Sequence, residues 1–284
     1  MTSRYRVRIL IACPDRPGII AALSDGLFRL GGNIVTADQH SEDPDQGMFF
    51  MRLEVEFPST VRDQEVSRSL RHLGEQFGMM LRISRSDAPR RMAVFVSRED
   101  HCIKELAWQC ESGEIGASIA VVISNHRDLE AWAQSAHLPY HHIPVTAATK
   151  SQAEAKAQSL LTNIDLVVLA RYMQILSPAF VEAWAGHMIN IHHSFLPAFI
   201  GPNPYRQAFD RGVKLIGATA HYVTADLDQG PIIEQDVQRV DHRQRVPDLK
   251  RLGRHVERMV LTRAVRWHLE DRVLVYQNRT VVFP

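Results

Sequence analysis

Apolar and polar residues follow two different periods along the first third of the chain. Strands are expected over residues 6–12, 33–40, 48–57 and 79–84, and the third of them shows alternation at Phe50, Arg52 and Glu54. Apolar residues three or four positions apart predict helices beginning at Ile19 and over residues 61–77, and Gly31-Gly32 ends the first of them. The order βαββαβ over residues 1–87 therefore predicts a ferredoxin-like domain.

A polar segment at residues 86–91, which contains Pro89, marks the start of a different pattern. From there short apolar strands alternate with helices: strands are expected at 92–96, 119–124, 140–143, 166–170 and 188–191, with helices at 101–110, 129–136, 150–162 and 178–185. Two longer strands (215–223 and 231–237), a long helix (247–269) and a hairpin (271–283) complete the chain. This alternation predicts a second, α/β domain over residues 88–284. It has a Rossmann-like, mostly parallel sheet and a site at the carboxyl ends of its strands.

Composition narrows the classes of partner. The net charge of +1 gives no electrostatic reason for binding nucleic acid or an acidic membrane. The three cysteines are scattered and odd in number, which is typical of a reduced protein without a disulfide framework. No apolar run approaches the ~20 residues of a membrane span, and the N-terminus lacks a signal-peptide pattern. We therefore expect a cytoplasmic protein with neither nucleic acid nor membrane as a partner.

Candidate chemistry lies at two predicted strand ends. Successive strand residues point to opposite faces, so Asn190 and His192 share one face at the end of their strand. Asp226 and Asp228 lie in a turn that Gly230-Pro231 closes after the next strand. An amide, an imidazole and a carboxylate that converge from adjacent strand ends suit chemistry on an acyl group.

The spacing of the histidines and the lack of a glycine-rich loop disfavour metal and nucleotide sites. The fourteen histidines include two adjacent pairs, His141-His142 and His192-His193, whose members face opposite ways in a strand. The H-E-x-x-H pattern is absent, and we expect no metal. Residues 97–101, which follow the first strand of the second domain, contain no glycine to cradle a phosphate and two acids that would repel one.

The N-terminal motifs resemble those of ACT domains. The run Pro14-Asp15-Arg16-Pro17-Gly18-Ile19 follows the first strand, and Gly32-Asn33-Ile34 begins the second. The resemblance implies a regulatory module that binds an amino acid, with glycine and methionine as candidate effectors. It also implies pairing of such modules, hence a homo-oligomer. The implied ligand residues are Asp15, Arg16, Pro17, Gly18 and Asn33, although the same residues would serve equally as turns and caps of a packing module.

Four motifs in the second domain resemble the folate-dependent formyltransferase fold, and within it most closely the formyltetrahydrofolate deformylases. They are residues 169–176 (LARYMQIL), 190–197 (NIHHSFLP), 217–223 (GATAHYV) and 227–233 (LDQGPII). The resemblance covers almost the whole chain and implies that Asn190, His192 and Asp228 are catalytic. The implied substrate-binding residues are Arg171, Met173, Gln174, Ile175, Leu176 and Asp226.

The implied reaction is hydrolysis of 10-formyltetrahydrofolate to formate and tetrahydrofolate, with folate as substrate and no separate cofactor. It would supply formate for purine synthesis and balance the one-carbon folate pool. Two alternatives stay open at this point: transfer of the formyl group to a small amine, and a non-catalytic amino-acid sensor. The missing glycine-rich loop at residues 97–101 favours water over a ribonucleotide as the acceptor.

Overall fold

The computed structural model describes residues 4–43, 47–198 and 203–283, and the chain divides into two compact units. The first unit runs to Ala88 and also includes Glu270–Tyr276 and the residues from Val281 onward. The second unit comprises Pro89–Leu269 together with Gln277–Thr280.

The first unit has the predicted βαββαβ order. Its elements are β1 (Arg4–Pro14), α1 (Ile19–Arg29), β2 (Asn33–Ser41), β3 (Met48–Pro58), α2 (Asp63–Phe77) and β4 (Met80–Arg85). The strands form an antiparallel sheet in the order β2-β3-β1-β4. Leucines at helical spacing, such as Leu23 and Leu27 of α1 and Leu70 of α2, are buried against alternate residues of β1 and β3. The ferredoxin-like prediction is therefore confirmed.

The second unit is an α/β domain with a seven-stranded sheet. Its elements are β5 (Arg90–Val96), α3 (His101–Glu111), β6 (Ala117–Ser124), α4 (Glu130–Ser135), β7 (Tyr140–His142), α5 (Lys150–Ser159), β8 (Leu166–Leu169), α6 (Pro178–Ala183), β9 (Met188–His192), α7 (Pro204–Asp210), β10 (Leu215–Tyr222), β11 (Ile232–Arg239) and α8 (Val246–Leu269). The strand order is β11-β10-β9-β8-β5-β6-β7. β5 to β9 pair in parallel, whereas β10 and β11 are antiparallel, which confirms a mostly parallel sheet.

Helices pack on the sheet because residues that point to either face of its strands are apolar and buried. Ala93 and Phe95 of β5 pack with α5 and α6 in one core cluster. Val94, the residue between them, is also buried, and α3 and α8 pack on strands of the same sheet. The sequence pattern predicted no element over α7, a short helix that begins at Pro204 and buries Tyr205.

The C-terminal segment departs from the expected division. The division predicted from the sequence places every residue after position 87 in the second domain, but most residues from Glu270 onward group with the first unit. A closing hairpin, β12 (Val273–Tyr276) and β13 (Arg279–Val282), lies there as expected. Tyr276 and Phe283 pack with Phe50, and the Arg52 guanidinium donates to the Asp271 carbonyl at 3.0 Å, so burial and hydrogen bonding account for the grouping.

No helix in the described ranges is both long enough and apolar enough to cross a bilayer.

Candidate active site

A cavity of about 730 Å³ lies in the second unit, against β9 and the loops that follow β8 and β10. Its wall includes all nine residues that the sequence analysis assigned to catalysis or substrate binding: Arg171, Met173, Gln174, Ile175, Leu176, Asn190, His192, Asp226 and Asp228. The volume is in the range of sites for small organic ligands.

The centre of the cavity wall is an ion pair between His192 and Asp228. Nδ1 of His192, the last residue of β9, lies 3.2 Å from Oδ2 of Asp228, and both side chains are largely buried. Because a carboxylate only accepts hydrogen bonds, Nδ1 carries the proton. Nε2 of His192 is buried and has no hydrogen-bond partner among the described residues, which leaves it available to a ligand in the cavity.

Asn190 lies two residues earlier on β9 and has a partner that the sequence analysis missed. The strand register places His221 of β10 directly opposite Asn190, and Nδ2 of Asn190 lies 3.3 Å from Nε2 of His221. Nδ1 of His221 donates to the Tyr222 carbonyl at 2.9 Å, so we assign the proton to Nδ1 and the acceptor role towards the Asn190 amide to Nε2. One N–H of the Asn190 amide is thereby fixed, and its second N–H remains for a ligand.

Asp228 lies beside both histidines. Its Oδ1 lies 3.6 Å from Nε2 of His221, in addition to the contact with His192. Burial alone would raise the pKa of the Asp228 carboxyl, but the hydrogen bond from His192 and the proximity of the two imidazoles outweigh burial and hold the pKa below its usual range. The group is therefore a carboxylate at neutral pH and a weak base.

The backbone of the loop after β10 brings Asp228 back to β9. Asp228 adopts φ +56°, in the left-handed region that few non-glycine residues enter. Gly230 packs against the end of β10, where a Cβ on Gly230 would overlap the Tyr222 carbonyl oxygen. The Tyr222 N–H donates to the Pro231 carbonyl at 2.9 Å, which closes the loop over residues 223–230.

A buried threonine holds the turn that follows His192. The Thr219 hydroxyl donates to the Ser194 carbonyl at 2.9 Å and accepts from the Leu196 N–H at 3.0 Å. Gln235 of β11 adds hydrogen bonds to the Thr219 hydroxyl and the Leu196 carbonyl. The Ser194 hydroxyl donates to the Ala198 carbonyl, so this serine serves the turn.

The mouth of the cavity is apolar. Met173, Ile175 and Leu227 are 58%, 64% and 61% exposed, although large apolar side chains are usually buried. The Met173 N–H donates to the Ser97 hydroxyl at 3.0 Å, which ties this loop to the end of β5. Exposed apolar side chains around a cavity are typical of a site for a flat organic ligand.

The other predicted substrate-binding residues have varied environments. Leu176 is partly buried and packs against the core cluster that contains Ala93 and Phe95. The Gln174 amide donates to the Met173 carbonyl. Asp226 is exposed, and its backbone carbonyl accepts from the Thr224 hydroxyl at 3.1 Å and from the Gln229 N–H at 3.3 Å, so it shapes the loop through its main chain.

Arg171 belongs to a second polar cluster in the cavity wall that sequence reasoning did not find. Its Nε lies 3.5 Å from Oε2 of the buried Glu257 on α8. Glu257 also accepts from His101 and from Tyr205. These residues are far apart in the sequence, and no local motif connects them.

In the described part of the chain, His101, Cys102 and Glu257 form the one trio of possible metal ligands whose donor atoms lie within 4.8 Å of one another. The Arg171 guanidinium beside Glu257 would repel a cation, and burial raises the pKa of the Cys102 thiol, which disfavours the thiolate that binds metals. These residues therefore fit a hydrogen-bonded cluster better than a metal site.

The residues of the ACT-like motif lie in the first unit, around the start of α1. Asp15 accepts from the Ser41 hydroxyl, and the Arg16 guanidinium stacks 4.3 Å from the centre of the Phe77 ring and donates to the Gln76 carbonyl. Pro17 and Gly18 are exposed, and Gly18 caps α1 at φ +95°. Asn33 is the exposed first residue of β2. Their proposed role in effector binding stays a prediction.

Comparison with known proteins agrees with this architecture. Residues 90–265 match the family model described as formyl transferase, and residues 7–63 match the ACT domain model. A formyltetrahydrofolate deformylase from Bacillus subtilis is 49% identical over 280 residues, covering 97% of this chain and 93% of that protein.

Solved structures give the same result. A formyltetrahydrofolate deformylase from Pseudomonas syringae superposes with a TM-score of 0.93 at 48% identity, covering 99% of this chain and 95% of that one. A glycinamide ribonucleotide transformylase from Symbiobacterium toebii matches with a TM-score of 0.63 at 32% identity, covering 69% of this chain and 94% of its own. With both domains matched and nearly the whole chain aligned, this protein belongs to the formyltetrahydrofolate deformylase family.

Proposed function

We propose that this protein hydrolyses 10-formyltetrahydrofolate to formate and tetrahydrofolate, and that Asn190, His192 and Asp228 carry the reaction. The observation that supports this assignment best is the buried His192–Asp228 pair at 3.2 Å, with Asn190 beside it in one cavity. The relatives named as formyltetrahydrofolate deformylases align along nearly the whole chain, so their reaction is the one to expect here.

The proton transfers follow from the tautomer of His192. Water attacks the formyl carbon while Nε2 of His192 takes one of its protons, and the Asp228 carboxylate stabilises the imidazolium that forms. The bond between the formyl carbon and N10 then breaks, and N10 takes the proton from His192. The formic acid product loses its own proton to solvent, which balances the reaction as formate plus one proton. Asp228 orients His192 rather than acting as the base, because its pKa is depressed.

Asn190 stabilises the negative charge that develops on the formyl oxygen. Its amide is oriented by His221, and a donor fixed before the reaction costs no reorganisation when the charge appears. Removal of one such donor typically lowers the rate by ~10²–10³. His221 acts through Asn190 and Asp228 and is a positioning residue.

The pterin ring of the substrate packs on the apolar mouth formed by Met173, Ile175 and Leu227. Main-chain groups of the loop around Asp226 meet its polar edge. Folate is the substrate in this scheme, and the protein side chains supply the base, the donor and the orienting carboxylate without a further cofactor.

Formate release without an acceptor tests this function. Purified protein is mixed with 10-formyltetrahydrofolate, and formate and tetrahydrofolate are measured separately. We expect equal amounts of both over many turnovers in the absence of any amine. Release that depends on an added amine would instead indicate a transferase, and no turnover at all would leave the sensor alternative.

We further propose that the ACT domain binds an amino acid effector, with glycine and methionine as the candidates, and that it supports a homo-oligomer. Exposed groups around Gly18 and Asn33 support this proposal. Calorimetric titration of the full chain with each amino acid is the test, and absence of heat from both would refute the effector assignment.

A further inference from the structure

The cluster around Glu257 lines the cavity but takes no part in the hydrolysis described above. It consists of His101 on α3, Arg171 after β8, Tyr205 on α7 and Glu257 on α8. The Glu257 side chain is 1% exposed and that of Arg171 is 12% exposed. Charges buried to this extent require partners, so the contacts of each group can be accounted for in turn.

Both oxygens of Glu257 accept hydrogen bonds. The Tyr205 hydroxyl donates to Oε1 at 2.6 Å, and Nε2 of His101 lies 2.7 Å from Oε2. The close approach of Tyr205 depends on Gly253, where a Cβ would overlap the tyrosine ring. Burial would raise the pKa of Glu257, but the hydrogen bond from His101 and the Arg171 charge outweigh it and lower that pKa. Glu257 is therefore an anion held in one position.

Arg171 is held near this anion without being satisfied by it. Its Nε is at ion-pair distance from Oε2, 3.5 Å, but neither Nε nor Nη1 has a hydrogen-bond partner among the described residues. Arg171 also adopts φ +64°, a conformation that is uncommon for a residue with a long side chain and persists where the surroundings hold it. Arg171 lines the cavity, and a buried guanidinium with unmatched N–H groups indicates an acceptor that the described residues do not supply.

A row of neighbouring rings leads from His192 to this cluster. The rings of His192 and His193 are 5.4 Å apart, and those of His193 and Tyr205 are 6.1 Å apart. Tyr205 is in turn bonded to Glu257. A small molecule formed beside His192 therefore has Arg171 within the same cavity.

We propose that Arg171, oriented by Glu257, binds the carboxylate of formate after hydrolysis. The proposal rests on the proposed function, because formate is its anionic product. The formyl group of the substrate is neutral, and a negative charge on this fragment persists only after the C–N bond has broken. A guanidinium matches the two oxygens of a carboxylate and therefore distinguishes the product from the substrate. The Asp228 carboxylate repels the same anion, which favours movement of formate towards Arg171.

Product inhibition provides the test. Initial rates are measured with 10-formyltetrahydrofolate and increasing sodium formate, against sodium chloride at equal ionic strength. We expect formate to inhibit the wild-type protein and the half-inhibiting concentration to rise about tenfold or more in Arg171→Gln, as expected for loss of a charge-assisted hydrogen bond. Arg206→Gln is the matched control: Arg206 lines the same cavity but is exposed and paired with Asp210, so inhibition should be unchanged.

The folate substrate carries carboxylates of its own on its glutamate tail, and a second arm separates that source. The same variants are compared on a substrate that lacks the tail, 10-formyltetrahydropteroate. If Arg171→Gln raises KM only for the substrate with the tail and leaves formate inhibition unchanged, Arg171 binds the tail and the proposal is wrong.

Direct binding keeps the proposal testable without turnover. Line broadening of the formate C–H signal in proton NMR reports binding to the resting protein. We expect broadening with the wild type, less with Arg171→Lys, whose ammonium cannot match both oxygens, and none with Arg171→Gln. Equal broadening in all three, or none in the wild type, would overturn the formate site. Loss of hydrolysis in the wild type would instead refute the proposed function.

Discussion

At the residue scale, the proposed chemistry depends on which nitrogen of each histidine carries a proton. Asp228 fixes the proton of His192 on Nδ1, and the Tyr222 carbonyl fixes that of His221 on Nδ1. The first leaves Nε2 of His192 without a proton, and the second leaves Nε2 of His221 as an acceptor for the Asn190 amide. Two rings of one residue type thus acquire different roles from a carboxylate and a backbone carbonyl.

Asp228→Asn changes this arrangement with little change in size. The amide can donate to Nδ1 of His192, which favours the wrong tautomer and removes the negative charge beside the imidazolium. We expect kcat to fall by ~10²–10⁴ while KM changes little. Steady-state kinetics with 10-formyltetrahydrofolate measure both constants. Asp241→Asn, at a half-buried aspartate also paired with an arginine, is the control and should keep wild-type rates. Full activity in a folded Asp228→Asn protein would contradict the mechanism.

His193 gives a prediction about acid stability. Burial, with the nearby Arg171 charge, lowers the pKa of His193 from 6.5 to about 3. Between these values the unfolded chain binds a proton that the folded chain does not, so stability falls as pH decreases through this window. His193→Asn should flatten the decline by up to ~1.4 kcal/mol per pH unit.

Urea unfolding at several pH values between 7 and 5 measures this slope. His137→Asn serves as the comparison, because His137 is exposed and its left-handed backbone, φ 54°, suits asparagine. The same pH slope in wild type and His193→Asn would show that His193 does not contribute.

At the element scale, the site depends on a loop that returns to the strand beside the one it left. β10 pairs antiparallel with β9, and the loop over residues 223–230 brings Asp228 to the end of β9. The positive φ of Asp228 and the close approach of Gly230 to the Tyr222 carbonyl make this return possible.

Gly230→Ala should therefore displace the loop. The added Cβ cannot coexist with the Tyr222 carbonyl, so Asp228 moves away from His192 and kcat falls by a factor comparable with that of Asp228→Asn. Gly116→Ala is the control, since a Cβ at Gly116 meets no atom within 4 Å. Formate-release rates and thermal unfolding of both variants are compared with wild type. Wild-type kcat for Gly230→Ala would show that the loop does not depend on this contact.

At the scale of the whole molecule, the C-terminal segment is part of the first unit although it follows the second in sequence. Leu274, Tyr276 and Phe283 pack around Phe50 on β3. The Arg52 guanidinium, which is nearly buried, donates to the carbonyls of Glu270 and Asp271. A boundary drawn at a single position in the chain therefore cuts through a core.

Deletion of residues 1–88 should for this reason produce an unstable protein, because the apolar side chains of the C-terminal segment lose their partners. We expect the fragment 89–284 to aggregate in size-exclusion chromatography. The same fragment with Leu274, Tyr276 and Phe283 each changed to Ser should be more soluble. A monodisperse, fully stable fragment without these changes would show that the packing in the first unit is dispensable.

Much of this protein follows from its sequence. Hydrophobic periodicity located most helices and strands within a few residues, because each buries one face of a regular repeat. The spacing of Asn190 and His192 on one strand face predicted that they act together, since strand residues two apart point the same way. The apolar residues Met173 and Ile175 were anticipated from the resemblance to known formyltransferases.

Only the tertiary structure decided which side chains meet in the site and at the C-terminus. Those contacts depend on the register between strands and join residues that are far apart in the sequence. His221 faces Asn190 only once β10 is set antiparallel to β9 in one particular register. Glu257 meets His101 across 156 positions, and Arg52 meets Asp271 across 219. Periodicity reports which side of an element is buried, whereas it carries no information about which distant side chain will lie against it.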